Sequence, residues 1–150
     1  MKRLMKEYKH FDNMSNTDEE PRFFIEAIDT ILDWRARLII DDPKCAYDGA
    51  TPSIRLVFPA TYPFAPPDII FDPPIYHTAI EQKTGKICSD LLKKGWGPTR
   101  NVKWILELLY ELFINEGRYS NLNLNILEEL TENYETFSKK VKQQIDKLNS

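Results

Sequence analysis

Six prolines between positions 59 and 74 constrain this chain more than any other feature. Each proline fixes its backbone φ and removes a hydrogen-bond donor, so neither a helix nor a continuous strand can run through the segment. Only Asp68–Phe71 (DIIF) keeps the character of a strand, and the rest is predicted to be stiff, extended loop. Phe64 stands among these prolines, and the sequence leaves open whether its ring is packed or presented to solvent.

The segment before the prolines alternates apolar and polar residues with the period of a half-buried strand. FFIEAIDTILDWRARLII predicts two strands joined by a turn around Asp29–Thr30, and SIRLVF predicts a third. The residues expected on the core face are Trp34, Ala36, Leu38, Ile54, Leu56 and Phe58. Short consecutive strands joined by tight turns predict a four-stranded antiparallel meander with one face on the core.

Both ends of the chain show helical spacing. An N-terminal helix is expected to bury Leu4, Met5, Tyr8 and Phe11. Beyond Trp96 a second helix is expected, with Asn101 as its N-cap, and the last helical region divides near Thr131–Asn133. The predicted fold class is α+β, in one domain over residues 1–150.

Composition excludes several classes of protein. The net charge is −3 with a pI near 5.5, which argues against a nucleic-acid partner. No apolar run is long enough to span a membrane, and no apolar segment follows the basic N-terminus as in a secretory signal. Two distant cysteines, Cys45 and Cys88, argue against a zinc site or disulfide scaffold and favour a reducing intracellular compartment.

Cys88 is the candidate nucleophile, although a buried, inert cysteine is the commoner situation. It follows a loop that contains His77 and several lysines, and positive charge favours the reactive thiolate. A Cys–His hydrolase pair with His77 is one alternative. A thioester-exchanging cysteine, which needs no dedicated base, is the other.

Motifs along nearly the whole chain resemble those of ubiquitin-conjugating enzymes. They are Trp34-x-Ala36, YPFAPP at 62–67, Ile75-Tyr76-His77, GKICSDLL at 85–92 and Trp96-Gly97-Pro98. The resemblance implies an N-terminal helix, a four-stranded antiparallel meander and a helical C-terminal half. It also implies that Cys88 accepts ubiquitin, or a related modifier, as a thioester from an activating enzyme, and passes it to a lysine or to a ligase of the RING or HECT type.

The same resemblance assigns roles to further residues. Asp90 and Ser120 would line the approach of the lysine, and Tyr76 and His77 would shape the floor of the site. The surface for the activating enzyme and ligase would comprise Lys2, Arg3, Lys6, Phe64, Pro98 and Thr99. No cofactor or metal is implied, because ATP is consumed by the activating enzyme. The implied location is the cytoplasm, the nucleus or both.

One departure from the family pattern concerns the loop before Cys88. The usual His-Pro-Asn reads His77-Thr78-Ala79, and the loop is one residue longer than the commonest spacing, as in members that serve peroxisome biogenesis. The missing asparagine would stabilise an oxyanion, brace the loop, or both. Gln82 is a candidate replacement for its amide. Three alternatives follow from this departure. The chain transfers to lysine more slowly, it uses a different modifier, or it is a non-catalytic interaction module of the same fold.

Overall fold

The computed structural model describes residues 2–14, 22–87, 89–116 and 122–149, without the side chains of residues 12–14 and Ser89. The elements in chain order are α1 (Lys2–Met14), β1 (Phe23–Thr30), β2 (Asp33–Leu38), β3 (Ser53–Val57), β4 (Asp68–Phe71), α2 (Ser89–Lys93), α3 (Val102–Ile114), α4 (Leu124–Glu132) and α5 (Tyr134–Asn149).

The four strands form one antiparallel sheet in the order β1-β2-β3-β4, which confirms the predicted meander. The predicted turn at Asp29–Thr30 is wrong by two residues, since β1 continues through Thr30. The turn lies at Ile31 and Leu32, where the Trp34 indole donates a hydrogen bond to the Ile31 carbonyl at 2.7 Å. This contact needs the tertiary position of the Trp34 ring, which strand periodicity does not contain.

The core face of the sheet is the predicted one. Trp34, Ala36, Leu38, Ile54, Leu56 and Phe58 are all buried. Helix α1 contributes the buried side chains of Leu4 and Phe11 to the core, and the Tyr8 ring meets the Trp34 ring edge-on with a centroid distance of 5.8 Å. The predicted burial of Met5 is wrong, because its side chain is 52% exposed. One residue step rotates about 100° around a helix, so Met5 lies at the edge of the stripe that Leu4 begins.

The proline-rich segment carries β4 at the predicted residues and otherwise forms turns and extended chain. Phe64 is 77% exposed, so its ring is presented to solvent and not packed. The loop beneath it is fixed by the Trp96 indole, which donates to the Pro63 carbonyl at 2.8 Å.

Helix α3 is the central helix of the C-terminal half, with Ile105, Leu109 and Phe113 completely buried. Asn101 caps it as predicted, because its side chain accepts a hydrogen bond from the Trp104 amide at 2.9 Å. The last helical region divides at Asn133, between α4 and α5, also as predicted.

Two properties of the described residues bear on function. Among them, no helix is both long and apolar enough to cross a membrane. Within the same part of the chain, no group of three or more His, Cys, Asp or Glu side chains could hold a metal ion.

Candidate active site

His77 lies beneath the loop that leads to Cys88 and is 3% exposed. Its Nε2 donates to the Leu112 carbonyl of α3 at 2.7 Å, and its Nδ1 accepts from the Ala79 amide at 2.9 Å. Burial lowers the pKa of His77 to about 4, so the ring is neutral at physiological pH. Both nitrogens are committed to the backbone, and therefore His77 fixes the loop and offers no free base for the hydrolase alternative.

The loop after His77 folds back on itself before it reaches position 88. Ile80 pairs with Ile87 in an antiparallel bridge, and the Glu81 amide donates to the Lys86 carbonyl at 2.8 Å. Gly85 closes the turn with φ +78, in the left-handed region that glycine accepts readily. A Cβ on Gly85 would lie 2.0 Å from the Phe71 carbonyl oxygen, so this loop packs directly on β4.

Cys88 and Ser120, both predicted site residues, lie outside the described residues. The neighbours of Cys88 in sequence are described: Ile87 is buried, and the five-residue helix α2, which the sequence did not predict, begins at Ser89. Asp90 is exposed in the first turn of α2. A helix this short shows no periodicity of its own, which explains why it was missed.

An open cleft of about 340 Å³ borders the chain on both sides of position 88. Its wall is largely apolar, and exposed lysines stand at its edge. Its lining includes Phe58, Pro66, Ile87, Leu92, Lys86 and Lys93. The described residues on either side of position 88 therefore line an open, largely apolar cleft.

Two side-chain amides lie against the loop. Gln82 donates from Nε2 to the carbonyls of Ile75 and Ile80, both at 2.8 Å. Asn123 donates from Nδ2 to the carbonyls of His77 and Ile80. Sequence reasoning identified Gln82 but missed Asn123, because an asparagine that precedes a helical pattern is ordinarily interpreted as its cap.

Tyr76 is held by the C-terminal helices. Its hydroxyl donates to Glu129 of α4 at 2.8 Å, and its amide donates to Gln144 of α5 at 2.7 Å. Its ring packs against Phe137 at 5.9 Å. Burial and the bond to Glu129 raise the pKa of Tyr76, so the phenol stays protonated. Tyr76 thus anchors the start of the loop that leads to position 88 to α4 and α5.

The second cysteine, Cys45, has a different character. Its thiol is buried and donates to the Phe113 carbonyl at 2.9 Å. Burial raises the pKa of Cys45 to about 12, so the nucleophilic thiolate is suppressed at neutral pH. Cys45 is consequently a packing residue.

The predicted partner-binding residues come together at one end of the molecule. Arg3 donates to the carbonyls of Pro98 and Arg100 and lies 3.5 Å from Glu7. The Tyr62 hydroxyl, two residues before Phe64, donates to Glu7 at 2.6 Å. The α1 helix, the proline-rich loop and the loop after α2 therefore form one continuous surface, called here the docking surface.

The side chains on the docking surface differ in availability. Arg3 is engaged within the chain, whereas the others are exposed. The exposed members are Lys2, Lys6, Phe64, Pro98 and Thr99. Glu7 was missed by the sequence reasoning, since its contacts depend on how α1 packs.

Comparison with known proteins identifies the family. The family model described as ubiquitin-conjugating enzyme matches residues 3–145. The chain is 36% identical over 115 residues to Ubiquitin-conjugating enzyme E2-20 kDa of Schizosaccharomyces pombe, which covers 77% of this chain and 64% of that relative. It is 30% identical over 121 residues to Protein PEROXIN-4 of Arabidopsis thaliana, covering 81% of this chain and 76% of the relative.

A solved structure supports the same conclusion for the fold. The E2 domain of a Toxoplasma gondii ubiquitin conjugating enzyme matches with a TM-score of 0.82 at 23% identity, over 96% of this chain and 95% of that one. The fold expected from the motifs is thereby confirmed. With the family model matched from Arg3 to Ile145, the chain belongs to the ubiquitin-conjugating enzyme family.

Proposed function

We propose that this chain carries ubiquitin, or a ubiquitin-like modifier, as a thioester on Cys88, received from an activating enzyme. Membership of the family supports this proposal. The observation that carries it for this chain is the state of Cys45, whose buried thiol is bonded to Phe113 and cannot compete as a nucleophile. Cys88 is then the cysteine that remains for the chemistry.

The proposed chemistry is two acyl transfers without oxidation or reduction. The Cys88 thiolate attacks the C-terminal carbonyl carbon of the modifier, a new C–S bond forms, and the thiol of the activating enzyme leaves. A deprotonated lysine amine then attacks the same carbon, the C–S bond breaks, and an isopeptide bond forms. Transfer to a ligase cysteine is a further thioester exchange.

Asp90 and Ser120 are proposed to guide the incoming lysine. The Asp90 carboxylate is exposed two residues after Cys88, where it can attract an ammonium group. The chemistry then requires the ammonium to lose its proton before it attacks. Ser120 is assigned to the same approach from the family motif.

The docking surface is proposed to receive the activating enzyme and a ligase of the RING or HECT type. Its exposed aromatic, Phe64, supports this proposal, because aromatic side chains are enriched at protein-binding surfaces. We further propose that the protein acts in the cytoplasm, the nucleus or both. Fluorescence microscopy of the tagged protein tests this location.

A loading assay tests the central proposal. The chain is incubated with ATP and a panel of modifiers, each with its own activating enzyme. We expect the wild-type chain to form an adduct that reducing agent cleaves. Cys88→Ser should form either no adduct or a slower-forming ester that resists reducing agent. Cys45→Ser should form the same adduct as the wild-type chain. The Cys45→Ser control is matched, because a serine hydroxyl can also donate to the Phe113 carbonyl.

The same assay separates the alternatives. Absence of any adduct across the panel, from chain that is folded by circular dichroism, would contradict the proposal and favour a non-catalytic interaction module. An adduct that persists in Cys88→Ser but disappears in Cys45→Ser would show that the wrong cysteine has been assigned.

A further inference from the structure

We propose that Asn123 is a positioning residue that braces the active-site loop in place of the asparagine absent at Ala79. The inference rests on the proposed function. Its geometric basis is the Asn123 Nδ2 group, which donates to the His77 carbonyl at 2.9 Å and also to the Ile80 carbonyl. Those two carbonyls flank Ala79 on either side, so one amide spans the altered part of the motif.

The backbone strengthens the same connection. The amides of Leu122 and Asn123 both donate to the Thr78 carbonyl, at 2.8 and 2.9 Å. The carbonyls of His77, Thr78 and Ile80 are thus bound by two consecutive residues that immediately precede α4. Because Thr78 and Ala79 are buried, these bonds are shielded from competition with water.

The side chain of Asn123 contacts the loop and does not cap its own helix. Asn123 occupies the N-cap position of α4, with extended backbone angles of φ −103 and ψ 92. An N-cap asparagine ordinarily accepts a hydrogen bond from an amide in the first turn of its own helix. Within the described part of the chain, Asn123 makes no such bond, and its amide is directed across to the loop.

The two amides at the loop are both occupied as donors. Asn123 uses its N–H groups on His77 and Ile80, and Gln82 uses its N–H groups on Ile75 and Ile80. An amide nitrogen carries two protons, so neither has one left for an oxyanion. The two roles of the missing asparagine are therefore separated in this chain: the brace is retained, and these side chains do not act as oxyanion donors.

The kinetic test uses Asn123→Ala and Asn123→Asp, with Asn125→Ala as the matched control on the exposed surface of α4. Preformed thioester is mixed with increasing free lysine in single-turnover reactions. Displacement of reacting groups by about 1 Å can cost on the order of 100-fold in rate, so we expect a limiting rate roughly 10- to 100-fold lower. The lysine concentration at half-maximal rate and the rate of loading should stay within about twofold, because the brace sets loop position and not encounter.

A second measurement needs no activity. Two methods report whether the loop opens. One is hydrogen exchange of the Ala79 and Ile80 amides, and the other is tryptic cleavage after Lys83 or Lys86. Both should accelerate in Asn123→Ala and Asn123→Asp and remain at wild-type rates in Asn125→Ala. Melting temperatures of all variants, measured alongside, distinguish local opening from global unfolding.

The outcomes separate this inference from the proposed function. If wild-type chain forms no thioester, the proposed function fails while exchange and proteolysis still test the brace. If thioester forms and Asn123→Ala discharges to lysine at the wild-type rate, the positioning role is wrong. A loss in Asn125→Ala equal to that in Asn123→Ala would overturn it as well.

Discussion

The imidazole of His77 joins the proposed active-site loop to α3, and its protonation state determines whether that connection holds. Nε2 donates to Leu112 and Nδ1 accepts from Ala79, an arrangement available only to the neutral ring. Protonation would place a second donor against the Ala79 amide in a buried position. One residue thus makes the stability of the loop dependent on pH.

We therefore expect the free energy of unfolding to decrease as the pH is lowered from about 6.5 to about 4. The pKa of His77 is about 4 in the folded chain, against an ordinary value of about 6.5 when unfolded, so the unfolded state binds the extra proton in this window. The stabilisation is complete above about pH 6.5 and is lost on acidification, by at most about 3 kcal/mol. Urea unfolding at pH 7, 6, 5 and 4 measures this slope.

The control for the pH series is His10, an exposed residue of α1. His77→Gln should remove the His77 contribution to the slope, whereas His10→Gln should leave it unchanged. An identical slope in wild-type and His77→Gln chain would show that His77 does not carry the effect.

At the scale of elements, α1 and α3 are joined by one carboxylate. Glu7 accepts from the Tyr62 hydroxyl at 2.6 Å and from the Val102 amide at 2.7 Å. Val102 is the first residue of α3, so Glu7 satisfies an amide that the helix leaves unpaired and places negative charge at its N-terminus. Helix α3 is consequently capped twice, by its neighbour Asn101 and by a residue from the other end of the chain.

Glu7→Ala is expected to lower the free energy of unfolding by about 2 to 4 kcal/mol, since two hydrogen bonds to a charged group are lost and their donors are left without it. The matched control is Glu107→Ala, which removes an exposed glutamate of α3 that lies 4.0 Å from Lys103. An exposed pair of this kind contributes less than about 1 kcal/mol. Urea unfolding of both variants measures the difference. An equal loss of unfolding free energy in Glu7→Ala and Glu107→Ala would contradict the bridging role of Glu7.

Features specified by neighbouring residues were predictable from the sequence, whereas contacts between elements were not. Strand alternation, the Asn101 cap and the proline-rich loop depend on local chemistry, and each is found where expected. The contacts of Glu7 and Asn123 depend on which elements meet after folding, so no pattern around either residue indicates them. Cys88 stays a prediction from its motif, since it lies outside the described residues.

At the scale of the whole molecule, α3 connects the proposed docking surface to the proposed active-site loop. Its first residue, Val102, is bound by Glu7, and its Leu112 carbonyl is bound by His77. At about 1.5 Å per residue the two points are roughly 15 Å apart. The surface proposed to bind partners and the loop proposed to hold the nucleophile are thus built on opposite ends of one helix.

Phe64→Ala tests the docking surface without disturbing the fold. Because the ring is 77% exposed, we expect the free energy of unfolding to change by less than about 0.5 kcal/mol. The concentration of activating enzyme at half-maximal loading should rise by at least about fivefold, since an exposed aromatic anchor is typical of binding hot spots. Leu148→Ala, which shortens a 44% exposed side chain on α5, serves as the control and should load normally. Normal loading by both variants would contradict the assignment.

The engagement of Arg3 has a consequence for how partners arrive. Its guanidinium is bound to Pro98, Arg100 and Glu7, so the cations that α1 offers to an approaching protein include the exposed ammonium groups of Lys2 and Lys6. Ammonium groups are strongly hydrated point charges that attract at a distance but form no planar, bidentate contacts. The basic end of the helix therefore favours fast, salt-sensitive collision over a long-lived complex, which fits the proposed role of a carrier that leaves one partner before it meets the next.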